Sequence, residues 1–531
     1  MGGGKVYASL SVPYTHMCVG DRHNQFVRLT LQNARIPGER GLLGSGINVV
    51  IENGVITEIE FVGQTSAFAL PSGEAEYGDV IDLEGRFLMP GLWDAHVHFG
   101  QWAQTRRRLD LARAESADHA SQIVGEHLML RAANRDGDIA QPVVGFGWRG
   151  TLWDDVPHKD LLDRYTGRTP VYLFSIDLHS VWLNSAALAE RGLEHPTGLL
   201  KEHDCYEIEK SVGEVDANLL DDWVHEAAQQ ASRLGVVGIV DFEMAWNAGD
   251  WRRRIQAGNT QLRVEFGIYP DELDRAIEAG MRTGDVIAST DGLLTVGRLK
   301  LISDGSLGSR TALCSHPYPG LSGPHAQGVL NYSPRELVAL LTKAQTNGLE
   351  ASVHAIGDKA VTLALDAFDE TESAGTIEHA QCVSFDDVER MGGLDLVASI
   401  QPEHAMDDRD LVDTMWATQR ERVFPIRHML EAGVSLQFGS DAPVAPLNPW
   451  HAIAAAVYRT RDDREPWIAE QSIDIESALE ASTRSRLAVG QPADIIALDI
   501  DPLTCTRDEL RAMTTSLTLV AGRVTHSSLN T

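Results

Sequence analysis

The stretch that most constrains the fold is a histidine pair in the segment Trp93–Phe99, which reads WDAHVHF. A hydrophobic run, Phe87–Leu92, leads into it and predicts a short buried strand. Because successive side chains of a strand point to opposite faces, His96 and His98 project to the same side and can bind one metal ion. Taken alone, such a pair more often caps a strand or forms local hydrogen bonds. Further candidate ligands elsewhere in the chain are therefore needed to support a metal site.

Charge and cysteine content limit the classes of partner and the compartment. The 531 residues include 76 Asp and Glu against 45 Lys and Arg, a formal net charge of -31, which disfavours nucleic acid and anionic membranes as partners. No signal-peptide pattern and no apolar run of membrane-spanning length is visible, so we expect a cytoplasmic protein. A disulfide framework and a cysteine zinc site are not expected, because the five cysteines are scattered and form no CxxC: Cys18, Cys205, Cys314, Cys382 and Cys505.

Both ends of the chain read as short strands with tight turns. In residues 1–88, Asn53-Gly54 separates two strand-like runs and is the strongest short-range signal for a hairpin. Residues 487–531 contain two further runs, Ala493–Leu498 and Ser516–Val524. Neither set is large enough for its own core, so we predict one small β-sandwich domain built from both termini.

Between the termini, residues 89–486 alternate strand-like and helical segments, as in a parallel sheet with crossover helices. The helical segments include Pro334–Thr346 and Lys359–Asp369. We predict an α/β fold, a (β/α)₈ TIM barrel, with a large insertion at about 103–233 after the first strand, overhanging the barrel mouth as a substrate lid or wall. Besides the strand that carries His96, the predicted strands are Val236–Met244, Leu262–Tyr269, Gly297–Gly305, Leu349–Ile356, Thr376–Gln381, Leu396–His404 and Val434–Asp441.

Four further residues at the ends of predicted strands carry chemistry. Lys300 lies in an apolar strand, where a lysine is costly unless it is paired or modified. His354 and His379 close the fifth and sixth strands, and Asp441 follows the eighth. Each has an ordinary alternative: a salt-bridged lysine, a hydrogen-bonded core histidine, or a turn-capping aspartate.

Taken together, these residues and the histidine pair would converge at one mouth of the barrel. Four imidazoles, a carboxylate and a lysine suit two borderline-soft divalent ions, with zinc the best match. A lysine ammonium is a poor metal ligand, whereas Lys300 carboxylated by CO₂ would be an anionic carbamate able to bridge two ions.

The chain resembles the amidohydrolase superfamily, and specifically its amidohydrolase-3 branch of YtcJ-like and N-substituted formamide deformylase-like proteins. The resemblance implies that His96 and His98 bind one ion and that His354 and His379 bind a second. It also implies that Lys300, as a carbamate, bridges both ions and that Asp441 is a ligand and the catalytic base. Leu178 departs from the branch, which usually has glycine there. The stretches that carry the resemblance are MPGLWDAHVHF, RLKLISDGSLGSRTAL, SVHAIGDKAV, TIEHAQ, FGSDAPV and, in the insertion, DLHSVWLNSAAL.

The predicted activity is hydrolysis of a C–N, amide-type bond of a small molecule by metal-activated hydroxide. Alternatives with the same site are a cyclic-amide or ester hydrolase and a metal-assisted decarboxylase; an inactive barrel that binds or regulates is the alternative from another class. A homodimer is expected only because two-fold assemblies are common. Candidates to line the substrate pocket are Trp102, His179, Asp304, Arg310 and His404.

Overall fold

The N-terminal part of the chain forms a four-stranded sheet in the computed structural model, which describes residues 28–38, 46–62, 79–133, 141–212 and 215–529. Its strand order is β3-β2-β1-β4. The predicted hairpin is confirmed, because Asn53 and Gly54 both adopt positive φ and connect β2 to β3. The strands before the barrel are β1 (Arg28–Ala34), β2 (Gly46–Glu52), β3 (Val55–Val62), β4 (Asp79–Asp82) and β5 (Phe87–Pro90).

The hydrophobic run Phe87–Leu92 is not one strand. Its first part is β5, and the barrel begins after Gly91 with β6 (Leu92–Val97). A Cβ at Gly91 would lie 2.2 Å from a methyl carbon of Val237, so only glycine allows this close approach to the next barrel strand. Hydrophobicity alone could not reveal the break, because both strands are buried.

The insertion forms a second sheet with cores of its own, in the order β11-β10-β9-β8-β7. The elements are α1 (Phe99–Thr105), β7 (Leu109–Asp110), α2 (Ala117–Ala133), β8 (Val143–Trp148), α3 (Lys159–Thr166), β9 (Val171–Ser175), β10 (Ser180–Leu183), α4 (Ser185–Glu190), β11 (Leu199–Lys201), α5 (His203–Val212) and α6 (Ala217–Arg233).

The barrel has the eight parallel strands that the sequence predicts. The first is β6 and the other seven are β12 to β18, since β7 to β11 belong to the insertion. Its remaining strands are β12 (Val236–Asp241), β13 (Arg263–Ile268), β14 (Leu294–Ile302), β15 (Ala351–Ala355), β16 (Gly375–His379), β17 (Val397–Ile400) and β18 (Ser435–Phe438). Its helices are α7 (Asn247–Gln256), α8 (Leu273–Glu278), α9 (Pro334–Thr346), α10 (Asp358–Thr371), α11 (Phe385–Gly393), α12 (Pro402–Met415), α13 (Ile426–Glu431), α14 (Pro449–Tyr458) and α15 (Ile475–Glu480). Among the helices of the described ranges, none combines the length and apolar character needed to cross a bilayer.

The C-terminal segment completes the sandwich with β19 (Ile495–Leu498), α16 (Arg507–Arg511), β20 (Thr515–Val520) and β21 (Arg523–Ser527). The predicted run Ser516–Val524 is a hairpin rather than one strand, because Ala521 and Gly522 turn the chain with positive φ. Strand β19 pairs antiparallel with β5, so the last strands join the segment that enters the barrel. One apolar cluster includes Leu31, Leu88 and Leu519 and therefore draws on both ends of the chain. The exact domain boundaries stay predictions.

Leu519 and Val524 provide a matched test of this shared core, because they face each other across β20 and β21. Leu519 is fully buried, whereas Val524 is 49% exposed. We expect Leu519→Ala to lower the free energy of unfolding by about 2–5 kcal/mol through lost contacts and a cavity. Val524→Ala should change it by no more than about 0.5 kcal/mol. Thermal unfolding of both variants checks this, and equal midpoint shifts would contradict a core shared by the two termini.

Candidate metal centre

The six predicted ligands meet at the C-terminal ends of the barrel strands. The Nε2 atoms of His96 and His98 each lie 3.5 Å from Asp441 Oδ1, and Lys300 Nζ lies 3.3 Å from His96 Nε2. The ring centroids of His354 and His379 are 4.5 Å apart, and that of His379 is 4.9 Å from His96. The structure therefore brings together the six residues that the sequence selects as ligands.

The first and last strands meet at the centre of this site. Asp441 N donates to His96 O at 2.7 Å, and His98 N donates to Ala442 O at 2.9 Å. A Cβ at Gly439 would lie 2.6 Å from His96 N, so glycine is required where the two segments touch. These bonds fix Asp441 beside the histidine pair although it follows His98 by 343 positions in the chain.

Buried acceptors orient two of the imidazole rings. His96 Nδ1 is 2.6 Å from Glu378 Oε2, and His379 Nδ1 is 2.7 Å from Gln401 Oε1. With Nδ1 donating its proton, Nε2 of each ring keeps the lone pair that a metal needs. The sequence analysis does not select Glu378 or Gln401. One local feature could have pointed to Glu378, because it is a carboxylate next to the candidate ligand His379 in an apolar strand.

Burial keeps the site histidines neutral. It lowers the pKa of His98 to about 3 and holds those of His96 and His379 well below the usual value, with neighbouring cations adding to the effect. Lys300 is 1% exposed, and burial lowers its pKa to about 8. Its Nζ lies 4.3 Å from the Phe242 ring centroid and, among the described residues, has no carboxylate oxygen within 4.0 Å. The ammonium form is thus poorly compensated in this position.

The donor set fits divalent metal ions. Two groups of three residues could each hold a metal ion, because the ligand atoms within each group lie within 4.8 Å of one another. Asp441 belongs to both groups. One group adds His96 and His98, and the other adds His379 and His404. Neutral imidazole nitrogens with a carboxylate are the ligand types that zinc and similar ions take.

The second group differs in one residue from the predicted ligand set. It contains His404, which the sequence places in the substrate pocket, whereas His354 Nε2 lies 3.4 Å from Asp304 Oδ1 and 3.3 Å from Gly305 O. His404 Nε2 is 3.9 Å from Asp441 Oδ2 and lacks a hydrogen-bond partner within the described ranges. The ligand roles of both histidines stay predictions.

A cavity of about 730 Å³ opens above these residues and extends between the barrel and the insertion. Among the residues that line it are His179, Arg310, His404 and Leu178. Leu178 is held at φ +58, a backbone conformation that glycine adopts without strain. The insertion therefore forms one wall of the cavity.

His179 brings a charged group from the insertion to this cavity. Its Nδ1 is 2.9 Å from Glu202 Oε2 and 2.9 Å from the Tyr206 hydroxyl. Burial opposes protonation, but the Glu202 carboxylate outweighs it and raises the pKa of His179 to about 9. At neutral pH the imidazole is therefore protonated and can donate from Nε2.

Two of the predicted pocket residues lie behind the cavity wall. Asp304 is fully buried; its carboxylate accepts hydrogen bonds from Leu313 N at 2.8 Å, Gly357 N at 2.9 Å and Ile356 N at 3.1 Å. Trp102 is buried in α1 and packs against Phe99 with ring centroids 5.4 Å apart. Neither is among the residues that line the cavity. Asp304 therefore stabilises the loop that follows β15, the strand that carries His354.

A model of the amidohydrolase family matches residues 79–526. The chain is 25% identical to the putative amidohydrolase YtcJ of Bacillus subtilis, over 91% of this chain and 98% of that protein. It is also 25% identical to an N-substituted formamide deformylase of Arthrobacter pascens, over 89% and 94%. A crystal structure of an uncharacterized metal-dependent hydrolase from Pyrococcus horikoshii superimposes with a TM-score of 0.73 at 26% identity, covering 91% of this chain and 99% of that chain.

Glu378 offers a test of the orienting contacts. We expect Glu378→Leu to weaken zinc binding by about 10- to 100-fold, because His96 loses the acceptor that fixes its ring. Glu378→Gln should have a smaller effect, because its amide oxygen can still accept. Glu350→Gln is a control, since Glu350 pairs with Arg298 at 2.8 Å outside the cavity. Competition with a chromogenic chelator measures the affinity; an unchanged affinity in Glu378→Leu would contradict the role of Glu378.

Proposed function

Because this chain belongs to the amidohydrolase family and is a metal-dependent hydrolase, we propose that it cleaves a C–N bond of the amide type in a small molecule. The observation that carries this proposal is the convergence of four histidines, three of them buried, with Lys300 and Asp441 at the floor of one cavity. The named activity of the Arthrobacter pascens relative, a deformylase of N-substituted formamides, supports an amide substrate.

The proposed cofactor is a pair of divalent ions, preferably zinc, with Lys300 carboxylated by CO₂. The ammonium would first lose a proton to water in the cavity; the Nζ lone pair would then attack the CO₂ carbon, and Nζ would lose a second proton. The release of two protons would replace a poorly compensated buried cation by an anion among neutral imidazoles. His96 and His98 would hold one ion and His354 and His379 the other, with Asp441 as a further ligand. Such ions supply Lewis acidity, which lowers the pKa of water and polarises a carbonyl.

Asp441 is the residue that we assign to proton transfer. Burial raises its pKa to about 7, although the positive charge of Lys300 opposes the rise. As the one aspartate in both donor groups, Asp441 can take a proton from water and return it to the leaving nitrogen. His179, which is protonated and faces the cavity, can donate a hydrogen bond to the oxygen on which negative charge develops.

The test is hydrolysis by zinc-loaded protein of N-substituted formamides and acetamides, compared with esters and cyclic amides. We expect acyclic amides to be preferred and Asp441→Asn to lower kcat by about 10²- to 10⁴-fold, because the amide side chain cannot accept the proton. KM should change by only a few-fold. Amine release measures the rate.

The metal content of the variant must be measured as well, because Asp441 is also a proposed ligand. Asp291→Asn is the matched control, since Asp291 is an exposed residue that pairs with Arg523. Retained turnover in a metal-loaded Asp441→Asn protein would contradict the assignment of Asp441. Exclusive hydrolysis of esters or cyclic amides would contradict the proposed bond type.

A further inference from the structure

The cavity contains cations that have no ion-pair partner. Six Lys and Arg side chains line it: Arg149, Lys201, Lys300, Arg310, Arg461 and Arg464. Three of these lie within 4.0 Å of aspartates on α12, since Arg149 and Arg461 pair with Asp407 and Arg464 pairs with Asp410. Lys300 belongs to the metal centre. Within the described ranges, Lys201 and Arg310 have no carboxylate oxygen within 4.0 Å.

These two cations lie close to each other on the insertion side of the cavity. Lys201 is the last residue of β11, and its Nζ donates to Ser309 O at 3.3 Å, next to Arg310 in the chain. Burial and the positive charge of Arg310 both lower the pKa of Lys201. Arg310 N donates to Leu307 O at 3.0 Å, in a turn where Arg310 has φ +61. This backbone conformation is unfavourable for a residue with a Cβ, and it holds the side chain at the cavity wall.

The nearby carboxylates are already engaged by other groups. Asp177 Oδ2 accepts from Ser306 Oγ at 2.8 Å, and Asp177 Oδ1 accepts from Ser175 Oγ at 2.6 Å. Glu202 pairs with His179 at 2.9 Å and accepts from Ser309 Oγ at 3.0 Å.

Two further carboxylates of the insertion line the cavity, and both are engaged away from these cations. Asp155 accepts from Ala117 N at 2.8 Å and Asp118 N at 2.9 Å, and Glu209 lies 3.7 Å from Arg108. Within the described ranges, Lys201 and Arg310 can therefore attract an anion locally, although the chain has a net charge of -31.

We propose that Lys201 and Arg310 bind a carboxylate of the substrate, so that the amide cleaved at the metal centre is an N-acyl amino acid. The guanidinium fork suits a carboxylate, and the lysine adds a point charge. This subsite lies near the metal centre. Lys201 is followed in the chain by Glu202, whose carboxylate pairs with His179. The ring centroid of His179 is in turn 6.4 Å from that of His354. This inference rests on the proposed amide hydrolysis for its substrate class.

The experiment compares amides that differ only in the carboxylate. N-acetylphenylalanine is matched with N-acetylphenethylamine, and N-phenethylsuccinamic acid with N-phenethylbutyramide, so the acid lies on the amine side in one pair and on the acyl side in the other. We expect the zinc-loaded protein to prefer N-acetylphenylalanine over its neutral partner by about 10-fold or more in kcat/KM. A preference confined to the succinamic acid would overturn the N-acyl amino acid assignment.

Lys201→Met and Arg310→Met should each remove this preference, because KM should rise about 10- to 100-fold for the acid relative to the neutral amide. Arg310→Lys should restore part of the affinity. Lys343→Met is the charge-matched control, because Lys343 is an exposed residue that pairs with Asp274. Metal content and thermal midpoint, measured for every variant, distinguish a lost subsite from a damaged fold.

Equilibrium binding of the same four compounds separates this inference from the proposed function. If amides are cleaved but the acids are not preferred, or both Met variants keep the preference, the subsite is refuted and the amide hydrolase remains. If no amide is cleaved, tighter binding of N-acetylphenylalanine that both Met variants lose would still support the subsite. Equal binding of the acids and the neutral amides would refute it.

Discussion

The structure depends on the hydrogen bonds that join the first barrel strand to the last. Asp441 N donates to His96 O at 2.7 Å, and His98 N donates to Ala442 O at 2.9 Å, across a contact that only Gly439 permits. Closure buries the strands on both faces, as parallel sheets require, and the same two bonds place a carboxylate between two imidazoles. Fold and site are thus consequences of one contact, and a change that opens it should damage both.

Burial then determines the chemistry available at the barrel mouth. Taking the imidazoles out of water keeps them neutral, so their lone pairs are available to metals, while it leaves Lys300 as a poorly compensated ammonium. The insertion adds a positively charged imidazole to the cavity, because the Glu202 carboxylate keeps His179 protonated. A cavity with neutral donors at its floor and with Lys201 and Arg310 on one wall would suit the substrate that we propose, which has a polar carbonyl and a carboxylate.

Most of the barrel could be predicted from sequence because its strands are short apolar runs, and the ligands stand at their ends. The hairpin at Asn53-Gly54 was equally clear, since it depends on two adjacent residues. The break at Gly91 was not, because it depends on the approach of Val237. Contacts between distant segments could not be predicted either, because they depend on tertiary packing rather than on a local sequence pattern. One example is the pairing of Glu378 with His96, and another is the burial of Trp102 and Asp304 behind the cavity wall.

We propose that closure of the barrel creates a site for two metal ions that Lys300 bridges. The most direct measurement is the metal content per chain, by elemental analysis, of protein purified without chelator, beside Lys300→Ala and Lys343→Ala. We predict about two zinc-like ions in the native protein and in Lys343→Ala, and one or none in Lys300→Ala. One ion in all three proteins, or none after reconstitution with zinc, would contradict the bridged pair.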